Sequence, residues 1–219
     1  APLNGSCEIW DIDEIYLFSC CETCSLNGGV IGSDQNICFN TSPTSLTNVT
    51  SAIGNGTISY QWQKSITNCA SGWSDISGAT NANYSPNGLT QTTYFRRRAR
   101  NTFNGSTCDD YSNCVTVAIN PQLNLSMPNL DVCSGPNFLV TANATGGTPG
   151  YTYTWSGGLG TGNSKSIPTT NATYTVTVVD SKGCSAVDPF TVTVGSITAD
   201  AGPNKTITCT TPNATIGTS

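Results

Sequence analysis

The chain reads as an all-β protein made of tandem β-sandwich units. Three observations predict this. The segments "VTVAI" (115–119), "YTVTVV" (174–179) and "FTVTV" (190–194) alternate with period two and are rich in β-branched residues. Glycine-rich punctuation separates such segments at 54–56, 146–150 and 157–162. No stretch carries a sustained 3.6-residue apolar period, so no helix is expected.

In chain order, residues 1–33 form a cysteine-rich cap holding Cys7, Cys20, Cys21 and Cys24. A single C-x-x-C, Cys21 to Cys24, without a second knuckle reads as two local bridges stapling the cap and not as a metal site. The vicinal Cys20 and Cys21 point to different partners. "DIDE" (11–14) lacks the glycine and ligand spacing of a calcium loop and reads as an acidic surface turn.

Residues 34–121 and 122–196 are two copies of one unit, found by laying the chain over itself. "GTISYQWQ" (56–63) lies over "GYTYTWSG" (150–157) after one gap that follows the glycine, so Tyr60 meets Tyr153 and Trp62 meets Trp155. "LTQTTYFRRRARN" (89–101) lies over "IPTTNATYTVTVVD" (167–180), with Tyr94 on Tyr174 after one gap. Cys38 matches Cys133, Cys108 matches Cys184, and "CVTVAI" (114–119) matches "PFTVTV" (189–194). Proline-containing polar linkers follow each unit, "NPQLNLSMPN" (120–129) and "GSITADAGPN" (195–204). Residues 197–219 hold that second linker and the first strand of a third copy, in which Cys209 takes the Cys38 place. Short strands at regular spacing, with a tryptophan on the third strand, predict an immunoglobulin-like sandwich for each unit.

Composition narrows the function. Eleven cysteines scattered among strand-like segments point to an oxidising, extracellular setting. Eight basic against 13 acidic residues, a net charge of −5 and a sequence pI near 4.4 argue against nucleic acid as a partner. No run of eighteen apolar residues exists to span a membrane. The absence of histidine and the scattering of the acids leave no nucleophile–base arrangement, so no enzyme and no cofactor are expected.

"GSDQNICFNTSPTSLT", "YQWQKS" and "CDDYSNCVTV" resemble the Ig-like repeats of long cell-surface proteins of the Bacteroidota. "GGTPGYTYTWSGG" followed by "TYTVTVVDSKGCSAVDPFTVTV" is similar to the repeat of SprB-type gliding adhesins. The resemblance covers about residues 30 to 209. It implies a secreted, tandemly repeated fibre or adhesin on the cell surface.

The cysteines are read as crosslinks. A first strand and a last turn meeting at one end of the sandwich predict Cys133–Cys184, and the repeat extends this to Cys38–Cys108. Each bond would close a loop of roughly 50–70 residues and contribute about 4 kcal/mol. Cys69 and Cys114 either pair together or join the alternative set Cys38–Cys114 and Cys69–Cys108. Cys209 leaves an odd count. It belongs to a truncated third unit, or to a strand (199–219) donated to a neighbouring subunit and locked there by an inter-subunit disulfide.

"FRRRAR" (95–100) is the only basic run. On a strand, Arg96, Arg98 and Arg100 share one face with Tyr94, while Arg97 joins Phe95 and Ala99. The plain reading is a solvated strand; the sharper one is a patch for acidic polysaccharide. Trp62 and Trp155 read as core. Trp73, with Tyr84, is either a loop anchor or a sugar-stacking site. The function expected is an extracellular structural protein whose disulfide-stapled repeats join copies of itself into a cell-surface filament, by head-to-tail or strand-addition contacts. The alternative is an adhesin stalk or polysaccharide-binding module using Trp73 and the arginine strand.

Overall fold

The computed structural model describes residues 23–195 in full, together with the backbone of 8–12 and 15–19. It divides into two compact units, Ala1–Ile119 and Asn120–Ser219. All regular structure among the described residues is strand.

In the first unit, β1 (Glu8–Ile12) and β2 (Ile15–Ser19) form an antiparallel pair. Then come β3 (Leu26–Asn27), β4 (Val30–Ile31), β5 (Gln35–Ile37), β6 (Asn48–Thr50) and β7 (Ile53–Gly54). The long strands follow: β8 (Thr57–Ser65), β9 (Ser74–Asp75), β10 (Thr93–Phe103), β11 (Ser106–Tyr111) and β12 (Val115–Ile119). The main sheet has the order β5-β12-β10-β8-β9, with β11 also on β10. The facing layer is made of β3 on β7, β4 on β6 and the bridges Leu46 to Tyr84 and Thr41 to Leu89. Ile31 and Leu46 from that layer meet Trp62, Phe95, Val115 and Val117 from the main sheet in one buried cluster. The sandwich therefore starts before Asp34: β3 and β4 belong to it and not to a separate cap.

The second unit repeats the plan. Its strands are β13 (Leu123–Leu125), β14 (Leu130–Cys133), β15 (Phe138–Thr141), β16 (Ala144–Gly146), β17 (Thr152–Trp155), β18 (Gly160–Thr161), β19 (Ser164–Ile167), β20 (Ala172–Val179) and β21 (Ser185–Gly195). The order β14-β21-β20-β17-β18 faces the pairs β13–β16 and β15–β19. Alternation explains β20: Tyr174, Val176 and Val178 are buried while the threonines between them face outward. With Trp155, Phe190, Val140 and Ile167 they close the core. This strand order, with a buried tryptophan on β8 and on β17, makes both units immunoglobulin-like sandwiches.

The two copies agree bond by bond. Trp62 Nε1 donates to the Asn81 carbonyl at 2.8 Å, and Trp155 Nε1 to the Gly162 carbonyl at 2.7 Å. The hydroxyls of Tyr60 and Tyr153 accept from the amides of Ala52 and Ala144. Register corrects one match, however. Trp62 stands opposite Arg97, and Trp155 opposite Val176. Tyr174 therefore corresponds to Phe95, one residue beyond Tyr94, which faces the other way. A gap of one residue flips a strand's faces.

The same register overturns two disulfides. The strand ending at each first cysteine runs parallel to the last strand, placing Cys133 opposite Gly195 and Cys38 just beyond the Ile119–Ile37 pair. Cys184 precedes the far end of β21, a strand of 11 residues, roughly 35 Å away at ~3.3 Å per residue. A disulfide needs Cα atoms within about 7 Å. Cys133–Cys184 is therefore excluded, and Cys108 is bonded to Cys24, not to Cys38. Cys24 accordingly leaves the expected N-terminal knot. Cys69 pairs with Cys114, which settles that alternative. Cys38, Cys133 and Cys184 are also held in disulfides. Cys7, Cys20, Cys21 and Cys209, and the proposed donated strand 199–219, lie outside the described residues.

Asp180 ties the β20–β21 turn together. Its carboxylate accepts the amides of Thr148, Lys182 and Cys184, each at 2.9 Å. Gly147, at φ 62°, makes room for it, since a Cβ there would stand 2.9 Å from Asp180 Oδ2. These bonds, that of Thr148 first, hold the carboxyl below the usual carboxylate range. A depressed folded-state pKa gives stability that is present above the unfolded value and lost as pH falls through the folded one. Asp180→Asn is thus expected to lower stability at neutral pH and to flatten its decline on acidification. Urea unfolding measured from pH 7 downward checks this; an unchanged slope overturns it.

Candidate functional site

Strand β10 sorts its arginines by face, as alternation requires. Phe95, Arg97 and Ala99 are buried, while Arg96, Arg98 and Arg100 lie on the outer side of the main sheet. Cross-strand pairing sets Arg96 beside Gln63, Arg98 between Gln61 and Tyr111, and Arg100 between Ser59 and Asp109. The result is a polar face with no aliphatic anchor at these positions.

Arg100 meets Asp109 in a two-pronged contact, Nε to Oδ1 and Nη2 to Oδ2, both 2.7 Å. That hydrogen bond raises the Arg100 pKa and lowers that of Asp109. Arg98 reaches Asp75 at 3.3 Å and Asp109 at 4.0 Å. Arg96 has no acid. Its guanidinium carbon stands 4.3 Å from the Trp73 ring centroid and 3.8 Å from that of Tyr111. Its Nε donates to Gln63 Oε1 at 2.7 Å, and Gln63 is fixed in turn by donating to Asp75 Oδ1 at 2.6 Å. Desolvation first of all lowers the Arg96 pKa.

Arg97 departs from a solvated strand. It is fully buried and crosses the sandwich, donating to Asn48 Oδ1 at 2.7 Å, the Ala82 carbonyl at 2.9 Å and the Thr50 carbonyl at 3.5 Å. Its guanidinium lies 4.1 Å from the Tyr60 ring, and burial lowers its pKa.

Of the residues expected at a ligand face, Trp73, Arg96, Arg98 and Arg100 are brought together. Tyr84 is not among them. Its ring packs in the core, 5.6 Å from Trp62 and 6.0 Å from Phe95. Tyr111 and Gln63 escaped the sequence reading. The signal for Tyr111 was parity: β11 opposes β10, so Tyr111 falls on the same face as Arg98. Among the described residues, no group of three or more histidine, cysteine or acidic side chains is placed to hold a metal, and no helix is long and apolar enough to cross a membrane.

A model for a domain of unknown function, DUF8696, matches residues 27–121, which takes in β3 to β12. No curated protein matches the chain by sequence. Among solved structures, titin domains I67–I69 (an E-to-A variant) are 10% identical, with TM-score 0.42 over 79% of this chain and 66% of that one. Drosophila OTK extracellular domains 3–5 are 12% identical, with TM-score 0.36 over 80% and 63%. The IG1+IG2 pair of DIP-gamma is 13% identical, with TM-score 0.37 over 80% and 99%. The chain thus spans just under two thirds of the titin and OTK segments.

Proposed function

We propose that this is an extracellular structural protein whose immunoglobulin-like units join copy to copy in a cell-surface fibre. One observation carries this reading. The layer opposite the arginine face holds a groove of about 790 Å³ in which two valines, Val30 and Val49, stand 43% and 63% exposed among polar residues such as Ser33, Gln35, Thr44 and Asn113. Exposed apolar surface in a chain with few charges favours contact between proteins. The disulfides and the resemblance to Bacteroidota surface repeats of the SprB type support the extracellular setting. Contacts that propagate without closing would give a fibre.

Val49→Glu is the test. Burying a valine contributes about 1.5–3 kcal/mol, so the variant is expected to move native assemblies to monomer in light scattering and to abolish fibres in electron micrographs. A wild-type chain that stays monomeric at every concentration overturns the reading.

A second reading, an adhesive module that binds polysaccharide, is favoured by the Trp73–Arg96–Tyr111 stack. Retention of the wild-type chain on an immobilised polysaccharide tests it.

A further inference from the structure

We infer that Arg96 is the anchor of a site for the carboxylate of a uronic-acid sugar in an acidic polysaccharide. The inference rests on the second reading above and names its ligand. The Arg96 guanidinium is flanked by two aromatic rings, Trp73 and Tyr111, and its Nε donates to Gln63. The remaining edge, Nη1 and Nη2, has no protein acceptor among the described residues, nor is either nitrogen buried without a partner. Arg98 and Arg100, by contrast, are spent on Asp75 and Asp109.

Flanked by two rings and tied at Nε, the guanidinium keeps its Nη1 and Nη2 donors for a ligand. That geometry matches a carboxylate and leaves little side-chain freedom to lose on binding. Partial desolvation strengthens the attraction for an incoming anion. Tyr111, 40% exposed, adds aromatic surface beside the anchor. Next to it, a shallow depression of about 380 Å³ lined by Ile58, Ser59, Tyr60, Gln61, Thr80, Arg98 and Arg100 offers hydroxyl, amide and guanidinium groups beside one aliphatic and one aromatic side chain. These suit the hydroxyls of a neighbouring sugar.

The experiment measures binding of the full chain to polygalacturonate, with dextran, dextran sulfate and polyglutamate as comparisons. Polygalacturonate is expected to bind most tightly. Arg96→Gln should weaken it about tenfold or more, as should Arg96→Lys, which keeps the charge but loses the planar pair of donors. Lys182→Gln, the same charge change in the second unit, should leave it within about twofold. Should Arg96→Gln fail to fold, judged by circular dichroism, Arg96→Lys decides. Binding to polygalacturonate that survives both substitutions, or that falls equally in Lys182→Gln, overturns the inference and leaves the adhesive reading standing. Equal or tighter binding of dextran sulfate or polyglutamate overturns the uronate assignment. A wild-type chain that binds no polysaccharide overturns both.

Discussion

Arg97→Ala is expected to destabilise the first unit by roughly 3–5 kcal/mol, a large share of the ~5–15 kcal/mol that holds such domains. The substitution removes a fully buried side chain and strips Asn48 Oδ1 and two backbone carbonyls of their donor. Arg97 also carries a cost, since among the described residues no acid pairs with it and burial depresses its pKa. The second unit shows the apolar alternative: Val176 occupies the same register position, opposite Trp155. Arg97→Met, which conserves much of the volume and removes the buried charge, is therefore expected to lie within about 1–2 kcal/mol of wild type. Urea unfolding followed by tryptophan fluorescence ranks the three proteins. An Ala variant within 1 kcal/mol of wild type overturns the argument.

The reason for an arginine there lies in what it spans. From β10 it reaches β6 through Asn48 and Thr50, and the 76–92 connection through Ala82. β6 itself is only three residues long and pairs with a two-residue strand. The facing layer of the first unit is thus poorly held by ladder bonds, and a side chain from the main sheet supplies what the short strands lack.

Period two was legible wherever side chains face alternate layers. The parity of "FRRRAR" placed Arg97 with Phe95 and Ala99, and the structure buries all three. The repeat placed Trp62 on Trp155, and the two indoles make equivalent bonds. It also placed Cys38 on Cys133 and Cys108 on Cys184, and the registers agree. What parity cannot carry is which strand lies beside which, and in what direction. A segment such as "NIC" or "DVC" alternates identically whether it runs parallel or antiparallel to its neighbour. The parallel pairing sent Cys38 and Cys133 to the end opposite their expected partners. Equally, a strand of two residues has no period, so β3 and β4 were left outside the sandwich. The site was legible by halves for the same reason. Its arginines share one strand, whereas Tyr111 and Gln63 join it only through cross-strand register.

Removing either Cys24–Cys108 or Cys69–Cys114 is expected to cost about 4–4.5 kcal/mol, enough to bring the first unit near its unfolding threshold at 37 °C. The sequence separations are 84 for Cys24–Cys108 and 45 for Cys69–Cys114. Less than a doubling of loop length separates the two by only about 0.6 kcal/mol, so global stability will hardly rank them. Location will. Cys24 leads into β3 and β4, strands of two residues each, which beyond their short pairings with β7 and β6 and the burial of Ile31 are held by single bonds such as Gly28 N to Asp110 Oδ2 and Ile31 N to Asn113 Oδ1. Cys24→Ser with Cys108→Ser should therefore open 23–32 to protease before the rest of the unit unfolds. Cys69 lies in the 66–73 connection, whose other bonds are mostly local: Ser65 Oγ donates to the Ser71 carbonyl and accepts the Thr67 amide, and Asn68 Oδ1 accepts the amides of Ala70 and Ser71. Cys69→Ser with Cys114→Ser should release that connection and, with it, Trp73 from Arg96. Limited proteolysis with mass mapping reads both outcomes, and the Trp73 release should also weaken polygalacturonate binding if the stack anchors it. A double variant that keeps its midpoint of thermal unfolding and gains no cleavage at its own segment would show that the strand ladders alone hold the unit closed.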